Sequence, residues 1–181
     1  MKTGEFIHRF AAKDGREVIL RTPKWEDLDD LMEHLNSLIE EGADIPKDRK
    51  ITREEEADRL ARAFATAEKG DFFIIVAEIR GKVVGTSDIT ILGTYRRHIG
   101  ELGIGLRREY RDKGIGTEIL GTMIEQAAKM GLKMLTLNVF ATNSRARHVY
   151  EKVGFRETGR TPNYFYKNGE YIDDITMVKE I

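Results

Sequence analysis

The segment Arg111-Asp112-Lys113-Gly114-Ile115-Gly116-Thr117 has the residue types to hold an anion. It lies between an apolar run and a long helical pattern, so it reads as the turn that opens a helix. The first N–H groups of a helix have no partner within it, and the helix dipole favours negative charge there. Glycine at 114 and 116 lets the backbone approach a phosphate with no Cβ in between. Arg111 and Lys113 add countercharge, and a pyrophosphate is the ligand this turn suits. The other reading of a lone Gly-x-Gly is an ordinary helix start. Two better-known loops do not fit. Gly116 is followed by Thr117-Glu118, where a P-loop needs Lys-Ser/Thr, and position 119 is Ile, where a dinucleotide fingerprint has its third glycine. Asn143 and Tyr150 are a second pair of interest. Seven residues apart, they share one face of a helix; taken alone they are equally an N-cap and a core aromatic.

These residues need elements to hold them. Lys13-Asp14-Gly15-Arg16 predicts a tight hairpin turn between two short strands. From Trp25 to about Glu41, Leu28, Leu31, Met32, Leu35, Leu38 and Ile39 form one helical stripe. A second helix opens at Thr52, where Thr52 and Glu55 make a capping box, and stops at Gly70. Phe72–Ile79 and Val83–Leu92 read as strands joined by Arg80-Gly81-Lys82. Ile99–Leu106 reads as the next strand. A helix from Gly114 to about Met130 ends at Gly131, and Met134–Phe140 is a buried-looking strand. Ala146, Val149, Tyr150 and Val153 mark a short helix, and Phe155–Lys167 and Tyr171–Glu180 are strands joined by Asn168-Gly169. No linker or repeat divides residues 1–181, so one domain is expected. The order ββ-αα-ββ-β-α-β-α-ββ predicts an α/β or α+β fold with a mixed sheet.

This order, with Glu101-Leu102-Gly103-Ile104-Gly105-Leu106, the Arg111–Gly116 turn and the run N-x-x-A-x-x-x-Y-x-x-x-G-F from Asn143 to Phe155, resembles the GNAT superfamily of acyl-CoA-dependent N-acetyltransferases. The likeness covers Ile99 to Phe155 in its motifs and the whole chain in element order. It implies a mostly antiparallel twisted sheet, flanked by about four helices, with a central splayed parallel pair, Ile99–Leu106 and Met134–Phe140. The pantetheine arm of acetyl-CoA, the co-substrate, would lie in the gap. Backbone groups of Ile104, Gly105 and Leu106 would bond the arm, one N–H polarising the thioester carbonyl. The backbone from Asp112 to Thr117, Lys113, Gly114, Ile115 and Gly116 included, would cradle the pyrophosphate with Arg111 nearby. Asn143 would touch the arm, and Tyr150 would sit near the sulfur as the acid that protonates the leaving thiolate. Glu101 is the candidate base, accepting a proton through water; its other reading is a strand-edge charge in solvent. Some ribosomal-protein acetyltransferases place a base Glu on the following strand, where this chain has Asn138. The tail from Gly154 through Asn168-Gly169 to Met177 is similar to that of ribosomal-protein N-terminal and spermidine acetyltransferases.

The acceptor implied is a primary amine, either a small amine or polyamine or a protein N-terminus. An unperturbed amine is protonated at neutral pH, so its lone pair must be freed. Glu26, Asp27, Asp29 and Asp30, with Glu40, Glu41 and Asp44, place acids at both ends of the first helix. They read either as the wall of a cationic acceptor's cleft or as dipole-favoured and solvated charge. The alternative to an enzyme is a non-catalytic acyl-CoA-binding sensor. Lys+Arg 30 against Asp+Glu 31 gives net −1 and no whole-chain basic footprint for nucleic acid. There is no cysteine, which excludes disulfides and thiolate chemistry. The four histidines lack ligand spacing, so no metal is expected. No apolar stretch approaches the roughly 20 residues of a membrane span, and the start lacks a signal-peptide core; a cytoplasmic location is the expectation. The apolar final strands could pair across a two-fold in a homodimer.

Overall fold

The hairpin at Lys13–Arg16 forms between β1 (Phe6–Ala11) and β2 (Glu17–Arg21), with Gly15 at φ +80° in the left-handed conformation its turn requires. The structure is a computed structural model and describes residues 2–181. α1 (Leu28–Glu40) buries Leu28, Leu31, His34 and Leu38, one stripe at helical spacing. α2 (Arg53–Glu68) opens on the expected box: Thr52 Oγ1 accepts from the Glu55 N–H at 3.2 Å, and Glu55 Oε2 accepts from the Thr52 N–H at 2.9 Å.

β3 (Phe72–Ile79), β4 (Lys82–Ile91) and β5 (Ile99–Leu106) continue the sheet as antiparallel neighbours. α3 (Ile115–Lys129) then carries the chain across to β6 (Met134–Phe140), which runs parallel to β5. α4 (Ser144–Lys152) comes next, and the closing hairpin is β7 (Arg156–Lys167) and β8 (Glu170–Glu180). The eight-stranded order is β1-β2-β3-β4-β5-β6-β8-β7, so the last strand inserts beside β6 and leaves β7 at the edge. The fold is the expected mixed, mostly antiparallel α/β architecture, with one parallel pair and four α-helices among the described residues. None of these helices is long and apolar enough to cross a membrane.

The two sheet faces are unequal. α3 presses Ile115, Ile119, Leu120, Met123 and Ala127 onto Leu102, Leu135, Leu137, Val139, Ile175 and Met177, a continuous apolar core. On the other face α1 and α2 cover a small cluster, Leu31 and Leu60 against Val76 and Val83. Towards the middle of the sheet that second face turns polar.

The parallel pair is short. Only Ile99, Gly100 and Glu101 pair with Met134, Leu135 and Thr136, although the strands are eight and seven residues long. Beyond that point β5 stays bonded to β4 through Leu106, and β6 stays bonded to β8 through Phe140. Each strand keeps its outer neighbour, and the two half-sheets diverge between them.

Candidate active site

The divergence leaves backbone groups facing an opening, and the ladder fixes which ones. Arg107 N–H donates to the Val84 C=O at 2.9 Å and Leu92 N–H to the Ile99 C=O at 3.0 Å. Antiparallel pairing alternates, so the odd residues of β5 face β4, and the N–H groups of Ile104 and Leu106 face the gap. The Leu106 C=O, on the same side, accepts from Arg111 Nε at 2.9 Å. On β6, Ala141 N–H donates to the Asp173 C=O at 2.9 Å, which turns the peptide groups of Asn138 and Phe140 into the gap. Gly105 departs from the expected trio: its peptide groups serve Thr86 in β4, and its contribution is its missing side chain. A Cβ there would lie 3.0 Å from Leu38 Cδ1 and 3.3 Å from His34 Nε2.

The gap opens on the α3 side onto the glycine turn that starts α3. Asp112 at φ +63° and Gly114 at φ +81° curl the backbone so that α3 starts at Ile115 with its first N–H groups outward. The cations differ from the expected pair. Arg111 is bound to Glu41 and the Leu106 carbonyl, so it ties α1 to the end of β5 and does not stand free. Lys113 lies 3.7 Å from Asp14. Lys13 donates its N–H to the Lys113 C=O at 3.0 Å, its Cγ 3.6 Å from where a Cβ on Gly114 would sit. Arg145 approaches Asp112 from α4 at 3.4 Å. Lys13 and Arg145 escape sequence reasoning because folding, and not spacing, brings them to the turn.

Asn143 caps α4, its Oδ1 accepting from the Ala146 N–H at 3.2 Å, which leaves its Nδ2 to donate elsewhere. Tyr150 is 8% exposed, packed beside Phe155 with ring centroids 6.0 Å apart. Burial pushes its phenol up to about 12, further from neutrality than the usual value near 10.

The α1 side of the gap is lined differently. His34 is 3% exposed, with Nε2 3.4 Å from Thr86 Oγ1 and no partner for Nδ1 among the described residues. Burial, reinforced by Arg107, Arg59 and Arg111, drops its imidazole to about 3, so it stays neutral. Glu101 is exposed on this face, diagonal to Asp88 across the β4–β5 ladder. Asn138 donates its Nδ2 to Asp174 Oδ2 at 2.9 Å, and burial raises the Asp174 carboxyl. Six of the seven acids around α1 are consumed by ion pairs: Asp27 with Arg21, Asp29 with Arg53, Asp30 with Lys82, Glu40 with Lys50, Glu41 with Arg111 and Asp44 with Lys167. They hold the fold together and do not present a free acidic wall. Lys167 also donates to the Gly42 and Ala43 carbonyls at 2.7 and 3.0 Å, strapping the loop after α1 to β7.

Comparison with known proteins agrees with this geometry. The acetyltransferase (GNAT) family profile matches residues 29–155. The L-amino acid N-acetyltransferase AaaT of Escherichia coli (strain K12) is 33% identical over 107 residues, 58% of this chain and 66% of AaaT. Ribosomal-protein-alanine N-acetyltransferase from Brucella melitensis superposes with TM-score 0.80 at 26% identity, over 90% of this chain and 99% of that one. A GNAT superfamily phosphinothricin acetyltransferase from Sinorhizobium meliloti, solved in complex with acetyl-CoA, superposes with TM-score 0.82 at 21% identity, over 91% and 88%. A strand pair that parts beside a glycine-turned helix start thus coincides with a profile match over most of the sequence, and the chain belongs to the acetyltransferase (GNAT) family.

Proposed function

We propose that this chain transfers the acetyl group of acetyl-CoA to a primary amine by direct attack of the amine on the thioester. The observation that carries the reading is the gap itself. Unpaired N–H groups of Ile104 and Leu106 line it, and it opens onto the outward N–H groups of Asp112–Thr117. The pyrophosphate binds at that turn, with Lys113, Lys13 and Arg145 supplying charge. The pantetheine arm runs along Ile104 and Leu106 as an added strand would, and a gap-facing N–H polarises the thioester carbonyl. Asn143 Nδ2 donates to the arm. Tyr150, a protonated phenol at neutral pH, gives its proton to the departing sulfur. The acceptor enters from the α1 side, where Glu101 meets its ammonium group and takes a proton through water. Positioning and carbonyl polarisation supply most of the rate, with acid–base help of roughly 10²–10⁴.

The acceptor favoured is a small amine. AaaT is named for L-amino acids, and six of the seven acids that would greet a polyamine around α1 are already paired. The test is thiol release from acetyl-CoA with L-amino acids, spermidine and short peptides bearing Ser or Ala N-termini. Turnover with amino acids supports the reading. Turnover with spermidine or peptides alone overturns the acceptor class and keeps the reaction. CoA binding with silence across the panel overturns the enzyme reading.

A further inference from the structure

We propose that Asp88, and not Glu101 alone, receives the acceptor's proton, the two carboxylates lying side by side at the α1 side of the gap. The inference rests on amine acetylation as the reaction and names a catalytic group within it.

The first support is the shape of β5. Two of its three glycines, Gly103 and Gly105, lie on the α1 side, and their missing side chains let neighbouring side chains rest directly on the strand backbone. A Cβ on Gly103 would lie 3.0 Å from Asp88 Oδ1 and 3.5 Å from both Cγ and Oδ2. The Asp88 carboxylate therefore lies over Gly103, one strand from the gap. Two residues further on, His34 lies over Gly105 in the same way, almost wholly buried and with Nδ1 unpartnered among the described residues. A half-buried carboxylate resting on bare backbone, diagonal to the exposed Glu101, is thus held at the α1 side of the gap.

The second support is what surrounds Asp88. Among the described residues no hydrogen bond holds its carboxylate. From α2 comes Arg59, whose charge is already committed to the buried Glu56 through Nε and Nη2 at 2.8 and 2.6 Å. From β5 comes Glu101, and from α1 the neutral His34. The β3 residue opposite, Ile74, brings no charge. Burial pushes the Asp88 carboxyl up to about 6, with Arg59 opposing and Glu101 adding to the rise. A group of that strength is ionised at neutral pH and still basic enough to take a proton.

The protons balance. The ammonium nitrogen gives one proton to Asp88 through water, and Asp88 later releases it to solvent. The freed lone pair attacks the thioester carbon, forming the C–N bond. The C–S bond breaks with its electron pair on sulfur, which takes the Tyr150 proton, and the second nitrogen proton returns to the phenolate through solvent.

The test compares wild type, Asp88→Asn and Glu101→Gln. With the best acceptor among the amino acids, spermidine and peptides, kcat/KM of the wild type should fall on the acid side with a midpoint near 6. Asp88→Asn should lose that limb and about 100-fold in kcat at neutral pH, with CoA affinity measured by calorimetry unchanged. Glu101→Gln should move the limb to lower pH, because the neighbouring charge is gone. An acid limb unmoved in Asp88→Asn, or an equal loss at every pH, overturns the proposal. A direct titration by carboxyl ¹³C NMR needs no acceptor: a midpoint near 6 that falls in Glu101→Gln supports it, and an ordinary value near 4 overturns it. Failure of the wild type to bind CoA instead sinks the amine-acetylation reading, and this inference with it.

Discussion

In the proposed reaction Tyr150 gives a proton to the departing sulfur; burial raises a phenol that is already protonated at neutral pH. Its hydroxyl takes part in no hydrogen bond that shifts it, so Tyr150→Phe removes a donor without orphaning a partner. We expect kcat to drop about 100-fold, CoA affinity to hold within about twofold, and stability to change by less than roughly 0.5 kcal/mol. Stopped assays and urea unfolding on the same preparation check all three. Among single residues the sequence was an uneven guide. Tyr150, Asn143 and the Asp112–Thr117 turn announce themselves because their spacing is local. Asp88 and His34 do not, since 54 positions separate them and each looks ordinary in its own segment. Arg111 misled for the same reason: beside a glycine turn it reads as a phosphate cation, and only the fold reveals Glu41 waiting for it.

At the scale of elements, the root of the parallel pair matters most, because the gap can open only if the strands are fastened behind it. Gly100 sits at that root. A Cβ there would approach Ile89 Cγ2 to 2.6 Å, Leu132 Cδ1 to 2.8 Å and Leu135 Cδ2 to 3.1 Å. Gly100→Ala should therefore cost about 1–3 kcal/mol through overpacking, seen as a lower urea midpoint, and should weaken CoA binding by prising β5 from β6. An unchanged midpoint would mean that the neighbours yield more easily than close packing allows. Nearly every helix and strand boundary was legible to within a residue or two, since caps, glycines and apolar periods are written locally. Two things were not legible by those means. One is the insertion of β8 between β6 and β7, a choice among long-range pairings. The other is the parting of β5 from β6, expected only through family resemblance.

The whole molecule feels the site through its response to pH. His34 is held near 3 in the folded state against 6.5 unfolded. Its contribution to stability is thus present above about 6.5 and lost as pH falls towards 3. Asp88 has the opposite sign. Its folded value near 6 exceeds its model-compound value of 3.8, so its contribution is present below about 4 and lost as pH rises through 6. Between 4 and 6 the two slopes oppose. Asp88→Asn removes one of them, so the stability of the variant relative to wild type should climb by about 1 kcal/mol per pH unit across that window. Urea unfolding at pH 4.5 and 6 measures the difference, and a flat one would contradict it. A variant steadier than its parent at neutral pH yet slower in turnover is what a group kept for chemistry at the expense of the fold should give. The strap from Lys167 to the Gly42 and Ala43 carbonyls and to Asp44 has its own consequence. It makes the 41–51 loop, by which the proposed acceptor enters, joint property of two segments more than a hundred residues apart. Drift in one of them is therefore answerable to the other, and anyone transplanting the 41–51 loop to change which amines are admitted would have to move the closing hairpin with it.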